Sequence, residues 1–245
     1  MAADLGTKRD RLIKELTGNS DPYCRSKKIA NEKALKLLPH ARKIVDAGNT
    51  QQERFKKACL CAVAGNIMEF DIPGHNFTVN DLAATIREAA KDLFIDDIDR
   101  AYEIAKKANN VLYLADNAGE IVFDTLLVEQ LKNMGLKVTY VVKGGSVIND
   151  ATMDDVAVSG MDMVADDVLT TGTDAVGLLK KEVSPEFVKV YESAELVFAK
   201  GMGYAETLTE YKLTKPHLLL FRTKCVPVAN YFCAPRDKNI AKLMP

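Results

Sequence analysis

The chain has 245 residues, 47% apolar and 27% charged, with a formal net charge of -1. Such a length allows one large domain or a core with a smaller attachment, and the composition is ordinary for a soluble globular protein. The near-zero charge gives no global field for nucleic acid or an anionic membrane, and no Lys/Arg run interleaved with aromatics supplies a local one.

The chain opens on the polar "MAADLGTKRDRLIKEL". It has no apolar signal core, and no stretch of about 20 apolar residues follows. The expectation is a cytoplasmic protein with no membrane or nucleic-acid partner. Five cysteines, an odd number, read as reduced thiols. Cys59 and Cys61 diverge by roughly 200° on a helix, which makes a poor metal clamp.

The first hundred residues read as helices. Residues 24–48 carry Ile29, Leu35, Leu38 and Ile44 at helical spacing, with Gly48 as a stop. Residues 50–72 form a second helix whose middle, 58–64, is apolar on nearly every side. Two more helices cover 78–93, opening near Asn80 or Asp81, and 95–108. After Asn110 the pattern changes. Short apolar runs at 111–115, 138–142, 161–165, 196–199 and 218–221 alternate with helical stretches, among them 120–134 and one opening at Ser184-Pro185. Apolar strands alternating with helices predict an α/β fold with a mostly parallel sheet covered on both faces. The expected division is an all-helical part, 1–108, packed as one unit with an α/β core, 109–245.

In open parallel sheets, ligands bind at the carboxyl ends of the strands. Three predicted strands end in unusual residues there. The first runs into Asp116, Asn117 and Glu120, in "DNAGE"; the second into "KGGSVIND", with Lys143, Asn149 and Asp150; the fourth into "KGMGYAE", with Lys200, Gly201 and Gly203. Asp116, Asn117 and Asp150 offer hard oxygen donors suited to Mg²⁺ or Mn²⁺. Lys143 and Lys200 are compact cations for phosphate, and glycine-rich turns let backbone N–H groups approach an anion. An Asp or Asn after a strand is commonly a helix cap, but caps need no partner lysine. Neither glycine turn fits a dinucleotide or P-loop pattern. The histidines are scattered without an i, i+4 pair, which argues against zinc. The "TTGTD" stretch at 170–174 and Asp154-Asp155 read as turn and helix-start residues.

"DNAGEIVFD", "KGGSVINDAT" and "AKGMGYAET", in that order, resemble the metal-dependent damage-control phosphatases, the ARMT-like domain family. "DPYCRSK", "AGNIMEFDIPG" and "LLLFRTKCVPVA" also resemble family segments, so the resemblance spans nearly the whole chain. It looks closest to the compact stand-alone microbial branch, archaeal members in particular. It implies a three-layer α/β/α sandwich with a helical N-terminal part and a divalent metal as cofactor (Mn, Ni, Co or Mg). It also implies hydrolysis of small phosphorylated metabolites, often damaged or side-product forms. Asp116, Asn117 and Asp150 would be the metal ligands, and Lys200 would contact substrate phosphate. Asn66 and Glu69 share a helix face at the end of an apolar run, where they would close the site or simply cap the helix end, with Glu69 where many relatives carry Asp. Tyr204 stands where Asn is common.

The leading expectation is therefore a metal-dependent phosphomonoester hydrolase, with Asp116 and Lys200 in catalytic roles. Water activated by the ion and the Asp116 carboxylate compete as nucleophile. The alternatives are a phosphometabolite-binding protein without turnover and, last, a carboxyl methyltransferase, whose cofactor wants more glycine after the first strand than "ADNAGE" offers. The metabolite, the choice of metal and any homo-oligomer stay open.

Overall fold

The computed structural model of the protein describes residues 2–67 and 78–245. Helices come first: α1 (Ala2–Thr17), α2 (Cys24–Asp46), α3 (Gln51–Ile67) and α4 (Val79–Lys91). Next come β1 (Leu93–Asp96), α5 (Ile98–Ala105), β2 (Asn110–Leu114), α6 (Glu120–Asn133), β3 (Lys137–Val142), α7 (Met153–Ser159) and β4 (Asp167–Thr170). The chain ends with α8 (Pro185–Ser193), β5 (Leu196–Lys200), α9 (Met202–Leu208), β6 (His217–Arg222), α10 (Val226–Tyr231) and β7 (Asn239–Met244).

Among the described residues the strands form one seven-stranded sheet in the order β1-β7-β6-β5-β2-β3-β4. Every neighbouring pair is parallel except β6 with β7. Alternate strand residues go to opposite faces. Val111 and Tyr113 join a core with α2, α3, α5 and α6, whereas Leu112 and Leu114 join one with Phe187, Tyr204, Leu208 and Phe232. Both faces are dry, so the central strands are apolar throughout instead of alternating. The result is the three-layer α/β/α arrangement expected, and α3 is buried along Ala58 to Ala64 as its composition requires.

The strand order places the site. From β2 the chain builds β3 and β4 to one side, then crosses back to lay β5 on the other. That reversal opens a crevice beyond the carboxyl ends of β2 and β5.

Local signals held at Ser184, whose hydroxyl accepts from Phe187 N at 3.1 Å. The cap of α4 is Thr78, in a capping box with Asp81. Two expectations need correction. The run 161–165 is not a strand: Met161–Met163 is a 3-10 turn seating Met161 in the core, and the strand falls at Asp167–Thr170. Gly160, at φ 72, ends α7 and turns the chain there. Residues 1–108 also contain a strand. β1 pairs with β7, and with four half-exposed or exposed residues it reads as a helix tail in sequence.

His217, on β6, is fully buried between Lys215 O at 2.7 Å from Nδ1 and Tyr191 Oη at 2.7 Å from Nε2. Lys215 O only accepts, so Nδ1 donates and neutral Nε2 accepts from the phenol. Burial depresses the pKa to about 4 from 6.5. The unfolded chain therefore binds the proton more tightly, and the contribution of His217 is full above pH 6.5 and lost as the pH falls toward 4. Between pH 7 and 4.5 the wild type should lose about 2 to 3 kcal/mol more than His217→Gln in urea titrations. Parallel curves would show that His217 is protonated in the fold.

Candidate metal and phosphate site

The turn after β2 is stitched to the turn after β3. Ala151 N donates to Asp116 O at 2.7 Å and Ala118 N to Asn149 O at 2.9 Å, and Asn117 bridges Asp150. Asp116, Asn117 and Asp150, 34 positions apart at the ends, thus share one rim. The Asn117 amide nitrogen donates to Asp116 Oδ2 at 3.0 Å and Glu120 Oε1 at 2.6 Å. That fixes the amide's orientation and leaves its oxygen as the acceptor to present to a cation.

β5 supplies the third wall. Gly201, at φ 83 and ψ 165, lies in backbone territory reserved for glycine. A Cβ there would sit 2.0 Å from Asp116 Oδ2, so only a glycine lets that carboxylate lie against the start of α9. Gly203 instead packs backbone to backbone on Gly177.

The lysines are deeper than the sequence suggested. Lys200 is 0% exposed, and its amine bonds Glu120 Oε2 at 2.9 Å and Asp124 Oδ1 at 3.2 Å. Asp124 also accepts from the hydroxyls of Tyr113 and Tyr140, each at 2.8 Å. Lys200 thereby bridges two buried carboxylates beneath the rim. Lys143 donates to Gly177 O at 2.8 Å, lies 3.6 Å from Asp150 Oδ2, and sits over the Tyr204 ring at 4.5 Å from its centroid. Asn66 lies on α3, but its side chain and the whole of Glu69 fall outside the described residues.

The electrostatics suit a cation. Burial, then Glu120 and Asp150, push the Asp116 pKa well above the carboxylate range. Burial lifts Asp150 to about 6 against the pull of Lys143. Two carboxylates whose charge the fold disfavours, plus an amide oxygen, form an all-oxygen donor set that fits a hard divalent ion. Among the described residues no group of three His, Cys, Asp or Glu side chains is placed to hold a metal ion. An ion here would complete its shell with water and substrate, as Mg²⁺ commonly does.

Two residues that sequence reasoning passed over hold these turns. Asn31 on α2, 2% exposed, accepts from Gly119 N at 2.7 Å and donates to Asp155 at 2.7 Å. Asp10 on α1 accepts from Ile148 N at 3.2 Å. Asp124 did leave a signal: Glu120 and Asp124 stand i, i+4 on the mostly apolar first half of α6, and a buried acidic pair demands a cation.

A model of the damage-control phosphatase ARMT1-like domain matches residues 3–240. The chain belongs to this family. A damage-control phosphatase of Archaeoglobus fulgidus is 38% identical over 243 residues, covering 99% of this chain and 82% of that protein. One from Pyrococcus horikoshii is 35% identical, covering 89% and 73%. The crystal structure of a DUF89 family protein from Pyrococcus horikoshii superposes with a TM-score of 0.81 at 32% identity, over 93% of this chain and 77% of that one. This member of the ARMT1-like family has no helix among its described residues long and apolar enough to cross a membrane.

Proposed function

We propose that this protein is a metal-dependent phosphatase of small phosphorylated metabolites, damaged or side-product forms included. The observation that carries the reading is the convergence of Asp116, Asn117 and Asp150 at the strand-order reversal, in a chain whose family relatives are named damage-control phosphatases. These three residues would hold the ion. A divalent ion so held polarises a phosphoryl oxygen and lowers the pKa of water. Asn117 orients Asp116 and Glu120, and Lys143 fixes Asp150 from the side. Lys200 pairs with both Glu120 and Asp124 and offsets part of their buried charge. In this arrangement its effect on the phosphate is through Glu120; direct contact requires it to leave that carboxylate.

The test is phosphate release across a panel of sugar and cofactor phosphates with Mg²⁺, Mn²⁺, Co²⁺ or Ni²⁺, repeated with chelator. The proposal predicts release that chelator abolishes and one of these ions restores. Tight binding of phosphometabolites with no release would support the binding-protein alternative, and chelator-resistant release would contradict metal dependence.

Gly201→Ala probes the geometry independently. The methyl must displace the Asp116 carboxylate. Displacement by about 1 Å costs about 10²-fold in kcat, and the forced backbone costs about 1 to 3 kcal/mol of stability. Kinetics with the best panel substrate, beside urea unfolding, measure both. Wild-type activity would show that Asp116 need not lie where it does.

A further inference from the structure

α1 is inverted relative to an ordinary surface helix. Thr7 and Asp10 are 1% and 3% exposed, while Leu5, Leu12 and Leu16 stand out at 69%, 52% and 76%. Apolar burial would seat the leucines inward, so polar contacts hold this face to the protein. Thr7 Oγ1 accepts from Val176 N at 3.0 Å, and Arg11 pairs with Asp174 and Glu182, so these two residues secure the loop after β4. Asp10 reaches a different segment, the turn that ends in Asp150, and Lys14 bridges the two. Asp10 Oδ1 accepts from Ile148 N at 3.2 Å. Lys14 donates to Ser146 O at 2.7 Å, and pairs with Asp10 Oδ2 at 3.0 Å and with Asp174 Oδ2 at 2.7 Å.

That turn is strained. Ile148 has φ 46, a left-handed conformation that is an outlier for a β-branched residue. Such backbone persists only where the surroundings over-determine it. The turn closes on itself through Asp150 N to Val147 O at 3.0 Å, and the buried Asp10 carboxylate grips the strained N–H from outside. Asp150 lies two residues beyond the gripped atom. We propose that Asp10, supported by Lys14, is a positioning residue for the site: it clamps the strained 147–150 turn and thereby sets the place of the Asp150 carboxylate opposite Asp116. The inference rests on the reading of Asp150 as a metal ligand.

The test titrates Mn²⁺ into the full chain without substrate, following free Mn²⁺ by electron paramagnetic resonance, with unfolding in chelator measured alongside. Asp10→Ala should weaken Mn²⁺ binding about 10- to 100-fold, as loss of an outer-shell partner does. Asp10→Asn keeps an oxygen that accepts from Ile148 N and should bind close to wild type. In an Ile148→Gly background, where positive φ is free, Asp10→Ala should cost far less. If Asp10→Ala does not fold, the Asp10→Asn and Ile148→Gly/Asp10→Ala chains carry the comparison. Wild-type affinity in Asp10→Ala, or an Asp10→Asn chain that has lost Mn²⁺ binding, overturns the clamp while leaving Asp150 a ligand. Undiminished binding in Asp150→Ala, or none in wild type, overturns the ligand reading and the clamp with it.

Discussion

Asp150→Ala should lower metal-supported phosphate release by about 10³-fold or more, and Asp116→Ala likewise. A divalent ion held there would supply several kcal/mol of stabilisation to developing phosphoryl charge, and each 1.36 kcal/mol is tenfold in rate. Removing one carboxylate leaves a single charge and an amide to hold a divalent cation whose shell is otherwise water. The fold should survive, because burial disfavours the charge of both groups, and Lys143 keeps Gly177 O and the Tyr204 ring when Asp150 is gone. Loss of activity with an intact unfolding transition, and with Mn²⁺ affinity lost in parallel, is the expected pattern. An Asp150→Ala enzyme still active with metal removed would end the proposal.

Lys200→Met carries the largest expected loss of stability, about 3 to 5 kcal/mol, because it removes the cation that bonds both Glu120 and Asp124 in a dry interior. Burial works against the Lys200 charge, but Asp124 and Glu120 outweigh it and hold the amine protonated. Without the amine, Asp124 keeps only the hydroxyls of Tyr113 and Tyr140 among the bonds given above, and burial already raises its pKa. For a chain of this size each kcal/mol is worth roughly 2 to 4 °C, so the melting temperature should fall by about 10 °C. Adding Asp124→Leu should recover part of the loss, since an unpaired buried charge is then gone. A single Lys200→Met change within about 1 kcal/mol of wild type would contradict the pairing.

What the sequence made legible was local. Asp116, Asn117, Lys143, Asp150 and Lys200 announce themselves as polar residues where apolar runs stop, and the parallel sheet brings those stops to one rim. β1 and β7 were not legible, since β1 has only four residues and β7 mixes Lys242 with apolar neighbours. Their pairing appears only once the chain is folded. Nor could sequence spacing show Asp10 gripping Ile148 across 138 residues, or Asn31 reaching Gly119 across 88. The depth of Lys200 was hidden for a related reason. Its position at a strand end pointed to the rim, while its partners Glu120 and Asp124 lie on a helix packed beneath.

The most direct measurement is the anomalous signal of Mn²⁺ in a crystal of the wild-type chain. The account predicts one strong peak bonded to the carboxylates of Asp116 and Asp150 and the amide oxygen of Asn117, at oxygen-ligand distances of about 2 Å. Well-ordered side chains at those three positions with no peak between them at saturating Mn²⁺ would contradict it.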